Sequence, residues 1–336
     1  MIFEYMKNRM IYSGIITSYV CSAECRHCLY CSSPQTSRDF ITAEAAENIA
    51  GKLSAGGIRS MHIGGGEPFL NFASLCGLLH AMMKYKVGVD YIETNAFWCM
   101  DEETVRRRLA VIRDLGVHTV MVSVDPFHME YIPLARPLLF IKILGEIGMD
   151  HFVWQEKFLR RLSLLDHTQT YTEEELKLHL GAGYIGETAR EYGLGMNGRA
   201  LIIAGSLYKR KKAETFLHSE PCRSLLDGYH CHIDLYDNYI PSGCPGLAVE
   251  ADDYFTGNIS ETKYPVMTRL LNGGVGELYE YASGNGFVPS TSGYVTKCEL
   301  CFFIRSLLRK TIPSRDISPD CFYDSMHAAY LKAGII

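Results

Sequence analysis

The chain has 336 residues, 47% of them hydrophobic, with 33 Lys and Arg against 38 Asp and Glu and a formal net charge of −5. That balance gives no electrostatic pull toward nucleic acid or an anionic membrane, and no apolar run reaches the roughly 18 residues of a membrane-spanning helix. The length allows one large domain and a smaller one. The start, Met1 to Met10, mixes Glu4, Lys7 and Arg9 with apolar residues and lacks a signal-peptide pattern. Twelve cysteines without such a signal point to metal ligation in a reducing compartment, so the expected location is cytoplasmic.

In chain order, Ile11 to Val20 reads as a strand that delivers Cys21, Cys25 and Cys28, spaced C-x3-C-x2-C. Three thiolates on one loop can hold three irons of a [4Fe–4S] cluster and leave the fourth open to a small molecule. Clusters are normally held by four thiolates, so this spacing suggests reactivity. A zinc site using Cys28 and Cys31, or buried core thiols, are the competing readings. A helix over Thr42 to Leu53 follows, then a strand over Ser60 to Ile63 that runs into Gly64, Gly65, Gly66, Glu67 and Pro68. Glycines let a backbone approach a ligand closely, and the proline fixes the turn. The turn's carbonyls can receive an ammonium group, with Glu67 adding charge or holding the turn.

Next come a helix over Phe72 to Tyr85 and a strand over Val87 to Thr94, then a helix N-capped by Asp101 and ending at Leu115. A strand over Thr119 to Ser123, a helix over Leu134 to Ile147 and a strand over His151 to Gln155 follow. Thr172 with Glu175 offers capping-box chemistry for a helix through about Tyr192. Repeated βα units imply a parallel sheet flanked by helices, with function gathered at the C-terminal strand ends. That rule selects Thr94 and Asn95 after one strand, and Ser123, Asp125 and His128 after the next. Ser123 and Asp125 can equally cap a turn before Pro126, and a lone His is more often structural. Phe97, Trp98 and Phe127 line a pocket or belong to the core. The basic run from Lys209 to Lys212 reads as a solvated loop.

The Cys21–Cys28 loop followed by Gly65 to Pro68 resembles the radical S-adenosylmethionine (SAM) enzymes. The resemblance implies an α/β fold, a partial six-stranded (β/α)6 barrel over residues 1–205. It implies that Cys21, Cys25 and Cys28 bind a [4Fe–4S] cluster and that Gly65, Gly66, Glu67 and Pro68 contact the SAM amino group. Thr94, Asn95, Ser123 and Asp125 are implied for the SAM ribose and carboxylate, or for substrate. Asp125 and His128 are the candidate catalytic pair. Arg199, in a segment similar to a Gly-Arg-Ala run of several such enzymes, is implied for the SAM carboxylate. One departure is His27, where the family often has an aromatic residue.

Residues 206–336 carry Cys222, Cys231, Cys244, Cys298, Cys301 and Cys321, with an alternating hairpin pattern over His232 to Ile240. This resembles the SPASM or shorter twitch extensions of radical SAM enzymes. Their pattern implies an auxiliary [4Fe–4S] cluster on Cys222, Cys244, Cys298 and Cys301. Cys231 rivals Cys222, Cys321 is a fifth candidate, and a structural zinc on the same four thiolates is the alternative. The family reduces SAM to a 5′-deoxyadenosyl radical that takes a substrate hydrogen atom. The auxiliary cluster then assists oxidation, crosslinking or epimerisation. The expected substrate is a ribosomally made peptide, with a sugar or amino-acid derivative as the alternative and a non-catalytic iron–sulfur or zinc scaffold as the rival class. A flavodoxin or ferredoxin is the expected reductant. With only about ten to twenty residues ahead of the first strand, any leader-binding function is expected from a separate protein.

Overall fold

The structure is a computed structural model that describes residues 10–192 and 196–336. The N-terminal stretch read for a signal peptide falls, except for Met10, outside the described residues. The elements in chain order are β1 Gly14–Ile16, α1 Ala43–Ala55, β2 Ser60–Gly64, α2 Phe72–Lys84, β3 Gly88–Thr94, α3 Glu102–Asp114, β4 Thr119–Ser123, α4 Pro126–Met129, α5 Ala135–Glu146 and β5 Asp150–Trp154. Helices α6 Glu156–Leu162, α7 Glu173–Leu180, α8 Tyr184–Tyr192 and α9 Ala200–Leu207 follow. The chain then forms β6 His232–Asp234, β7 Asn238–Ile240, β8 Val249–Glu250, α10 Ala251–Thr256, α11 Pro265–Ser283, α12 Lys297–Thr311 and α13 Asp320–Lys332.

One eight-stranded sheet runs in the order β5-β4-β3-β2-β1-β6-β7-β8. Strands β1 to β5 pair parallel through βα units, and β6 pairs parallel with β1 on the other side. Six strands therefore run parallel, as the barrel reading expects. The sixth arrives from the C-terminal region and sits beside β1, while the described chain between β5 and the end of α9 is helix and loop. The antiparallel β6–β7 pair is the expected hairpin, and β8 extends it. The expected domain boundary at 205/206 falls inside α9.

Local chemistry explains most element ends. Thr42 accepts the Ala45 N–H and Asp101 accepts the Thr104 N–H, each capping its helix. Thr172 and Glu175 form the anticipated capping box, but the helix stops at Leu180 instead of running to Tyr192. Gly181 takes φ +91° and breaks it before α8 begins. The sheet's apolar side chains, among them Ile15, Ile63, Ile92, Val120 and Val122, are fully buried. Each contributes about 1.5–3 kcal/mol through burial. They hold the strand ends that carry the polar residues described next.

Candidate functional site

Cys21 and Cys25 are buried and Cys28 is half-buried, and all three line one cavity. The loop that carries them is tied down from both sides. Cys21 N–H donates to Ser33 O at 3.1 Å and Cys28 N–H to Cys25 O at 3.0 Å. From the far end of the barrel region, the Arg199 guanidinium donates to Cys25 O at 2.7 Å and Ser32 O at 2.9 Å. The Arg199 backbone N–H donates to Cys28 O at 3.0 Å. Gly198, at φ +58°, lies so close that a Cβ there would stand 2.1 Å from Leu29 O. Arg199 is 4% exposed and does not line the cavity. The structure thus places it under the cysteine loop, facing backbone carbonyls, rather than facing the cavity where a SAM carboxylate was expected.

The glycine turn is laced to the strand that feeds this loop. Gly66 N–H donates to Ser18 O at 2.7 Å and Glu67 N–H to Val20 O at 3.1 Å. A Cβ on Gly66 would sit 1.9 Å from Val20 O, so only glycine permits the approach. Of the two uses open to Glu67, the structure shows the second: its carboxylate holds the turn. It accepts Thr94 Oγ1 at 2.9 Å, Asn95 N–H at 2.8 Å and Phe69 N–H at 3.1 Å, and it is 1% exposed. Burial pushes its pKa up to about 7 against those three donors. Pro68 is buried and opens a short 3₁₀ turn to Asn71. Thr94 Oγ1 also accepts Ala96 N–H and Trp98 Nε1–H, which makes it a junction beneath the site. Asn95 reaches the first cysteine directly, with Nδ2 3.6 Å from Cys21 Sγ.

Ser123 and His128 line the same cavity, whereas Asp125 is fully buried beneath it. Asp125 N-caps α4, accepting the Phe127 and His128 N–H groups at 2.8 and 3.0 Å, and its other oxygen accepts from His128 Nδ1. Burial disfavours the His128 imidazolium, but the Asp125 carboxylate outweighs this and holds its pKa above the ordinary value. Burial drives His27 the other way, down to about 4. Asp125 and His128 are thus in contact, with His128 lining the cavity and Asp125 buried beneath it. Trp98 stacks on Phe69 with ring centroids 4.4 Å apart, and Phe127 stacks on His27 at 5.0 Å. Neither they nor Phe97 line the cavity.

The cavity holds about 510 Å³ and is lined by the three cysteines, Gly65, Gly66, Glu67, Thr94, Asn95, Ser123 and His128. The rest of its wall includes Tyr30, Tyr91, Glu93, Trp154, His230 and His232, which the motifs had not assigned to a site. Glu93 and Trp154 end strands β3 and β5, so the strand-end rule already pointed near them. The histidines come from a part of the chain far away in sequence, brought in by β6.

The C-terminal cysteines divide clearly. Cys244 has Cys298, Cys301 and Cys222 as charge neighbours, and burial together with these thiols pushes its pKa up. Burial and then the Cys301 and Cys222 thiols raise Cys298, to about 11. Cys298 and Cys301 stand three apart at the start of α12, on one face of the helix. Arg305 lies one turn on, 5% exposed, donating to Pro245 O at 3.0 Å and Tyr323 Oη at 3.0 Å. It is also a charge neighbour of Cys301, a cation beside the thiols that sequence reading did not find. Cys231 is elsewhere, its sulfur 3.0 Å from Ser13 Oγ in the core. Cys321 faces Asp234 and Asp39. Cys31 is fully buried in the main core. In the basic run, Arg210 bonds Glu299 and Gly293 O. No helix among the described residues is long and apolar enough to cross a membrane.

Comparison with known proteins finds likenesses over part of the chain. The family model described as the Radical SAM superfamily matches residues 15–147. YydG of Bacillus subtilis (strain 168), named for a proposed role in peptide biosynthesis, is 26% identical over 116 residues. That match covers 33% of this chain and 35% of YydG, about a third of the relative's length. Solved structures that align include SuiB of Streptococcus suis bound to the precursor peptide SuiA. It is 16% identical with a TM-score of 0.43, over 74% of this chain and 66% of SuiB. BtrN in complex with AdoMet and 2-DOIA is 12% identical with a TM-score of 0.43, over 80% of this chain and 90% of BtrN. Residues 15–147, the segment that matches the Radical SAM superfamily model, contain both the three-cysteine loop and the glycine turn that meet in the cavity.

Proposed function

We propose that this chain is a radical SAM enzyme that modifies a peptide, with Cys21, Cys25 and Cys28 holding the SAM-binding [4Fe–4S] cluster and Cys222, Cys244, Cys298 and Cys301 holding an auxiliary one. The observation that carries this reading is that three cysteines and the Gly65–Glu67 turn line one cavity of about 510 Å³. Bound there, the cluster and SAM supply one-electron cleavage that yields a hydrogen-abstracting radical. The residues present fit that group. Burial raises Cys21 to about 12 and raises Cys25 as well, so their thiolates form when a cationic metal takes them up. The N–H groups of Gly66 and Glu67 are committed to Ser18 and Val20, so the turn offers carbonyl oxygens, which suit an ammonium group. Asn95 and Ser123 present polar side chains to the same space, and His128 holds or passes a proton there.

The cavity's volume lies in the range of a single small-molecule site. With SAM held, a peptide would present one residue to it, not a folded surface. The match to YydG supports a peptide over the sugar or amino-acid derivative that is the second reading. For the auxiliary site, Cys222, Cys244, Cys298 and Cys301 are one another's charge neighbours, and four thiols of this kind would fill a [4Fe–4S] cluster. Oxidation, crosslinking or epimerisation is the proposed outcome, with a flavodoxin or ferredoxin as reductant and a separate leader-binding protein as partner.

The test is an anaerobic assay of the reconstituted protein with dithionite and SAM, following 5′-deoxyadenosine by chromatography and counting iron. The expected result is deoxyadenosine with about eight irons per chain, two cubane clusters. No deoxyadenosine, with zinc or a single inert cluster, would instead favour a scaffold or electron carrier.

A further inference from the structure

His62 on β2 and His232 on β6 occupy the same rung of the sheet, each opposite Gly14 of the strand between them. Gly14 has no side chain, and the two imidazoles meet over it, Nε2 to Nε2 at 3.1 Å. A Cβ at Gly14 would stand 2.2 Å from His62 Nε2, so the glycine makes the meeting possible. His230 joins from the rim, and one ring nitrogen of each of the three histidines lies within 4.8 Å of the others. Glu93 Oε1 is 3.7 Å from His62 Nε2.

We propose that His62, His230 and His232, with Glu93, form a binding site for one divalent transition-metal ion in the barrel, separate from the cysteine sites. Two nitrogens bound to one ion at about 2.0–2.1 Å stand about 3.0–3.4 Å apart, and the His62–His232 spacing falls in that interval. Three imidazoles and a carboxylate are a donor set for zinc, iron or cobalt. Tyr30 Oη lies 2.8 Å from His232 Nδ1 and so orients that ring from behind, the outer contact that metal-bound histidines keep. His62 is 1% exposed, and its Nε2 is the nitrogen that faces both His232 and Glu93. His230 and His232 line the same cavity as the cysteines, which places the ion on the wall that a substrate would face.

The test uses the cluster-reconstituted enzyme, incubated anaerobically with Zn²⁺ alone, desalted, and assayed for zinc and iron. Retention of one zinc per chain with unchanged iron is expected, falling at least tenfold in His232→Asn. His230→Ala removes a rim ligand without disturbing the core and is expected to weaken zinc on the order of tenfold, its iron content reporting an intact fold. Co²⁺ in place of zinc should show weak visible bands without intense thiolate charge transfer. A wild-type protein that keeps no zinc, variants that keep as much as wild type, or a cobalt spectrum dominated by thiolate would each overturn the site. Zinc retention is read apart from SAM cleavage, so this inference and the proposed function can fail independently.

Discussion

Replacing Arg199 with Ala separates two meanings of that residue. Its guanidinium makes two charge-assisted hydrogen bonds, to Cys25 O and Ser32 O, in a site that water barely reaches. Such bonds contribute about 1.5–3 kcal/mol each, so the pair is worth about 3–6 kcal/mol to the closed cysteine loop. Burying the guanidinium itself costs part of this, and the lower end, about 3 kcal/mol, is the working figure. At 1.4 kcal/mol per factor of ten, the loop should open on the order of a hundredfold more often. The assay is anaerobic release of iron from the reconstituted protein to a chelator, with a SAM-responsive electron paramagnetic resonance signal marking the proposed cluster on Cys21, Cys25 and Cys28. That signal should decay on the order of a hundredfold faster in Arg199→Ala. Arg199→Lys, able to reach one carbonyl at a time, should fall between. SAM affinity in the molecules that still carry the cluster should stay within a few-fold of wild type. Wild-type iron release together with a large loss of SAM affinity would refute this reasoning and restore Arg199 as a partner of the SAM carboxylate.

Cys244→Ser should lower the iron content of the reconstituted protein by about half, the share of one of two cubane clusters, and keep measurable SAM cleavage. Cys231→Ser and Cys321→Ser should leave iron unchanged, because those thiols face Ser13 and Asp234 instead of the group of four; iron lost from either would redraw the ligand set. Glu93 supplies a pH prediction. Burial, and then the Glu67 charge, raise its pKa to about 7, and Glu67 itself also lies at about 7. A carboxyl raised on folding contributes stability that is whole below its unfolded value near 4.5 and lost as pH rises through its folded value. Wild-type stability should thus decline between about pH 5 and 8. Glu93→Gln removes one of the two titrations, so chemical denaturation at about pH 5 and 8 should show a smaller decline; an equal decline in both proteins would show that Glu93 is not responsible.

Much of the site could be read along the chain because its chemistry is local. The C-x3-C-x2-C loop, the glycine turn and the polar strand ends of β3 and β4 each depend on residues a few positions apart. Hydrophobic runs and the caps at Thr42, Asp101 and Thr172 likewise placed most elements from β1 to α7. The hairpin and the later Cys298–Cys301 pair carried enough pattern to mark a second cysteine group. What local pattern could not decide is which long-range partner each polar side chain meets. Arg199 looks the same in sequence whether it faces a ligand or the carbonyls of Cys25 and Ser32; its bonds to those carbonyls come from the passage of the segment before α9 beneath the cysteine loop. Asp125 and Glu67 are acids at strand ends, yet the surrounding N–H groups commit them to holding the backbone. Cys222 and Cys231 are equivalent by spacing and are told apart by packing against Cys301 or Ser13. The pairing of β6 beside β1 joins residues 170 positions apart, His62 and His232. Spacing along the chain determined the chemistry available to this protein. Where that chemistry faces is decided by sheet order, because a side chain's partners come from neighbouring strands that local sequence does not name.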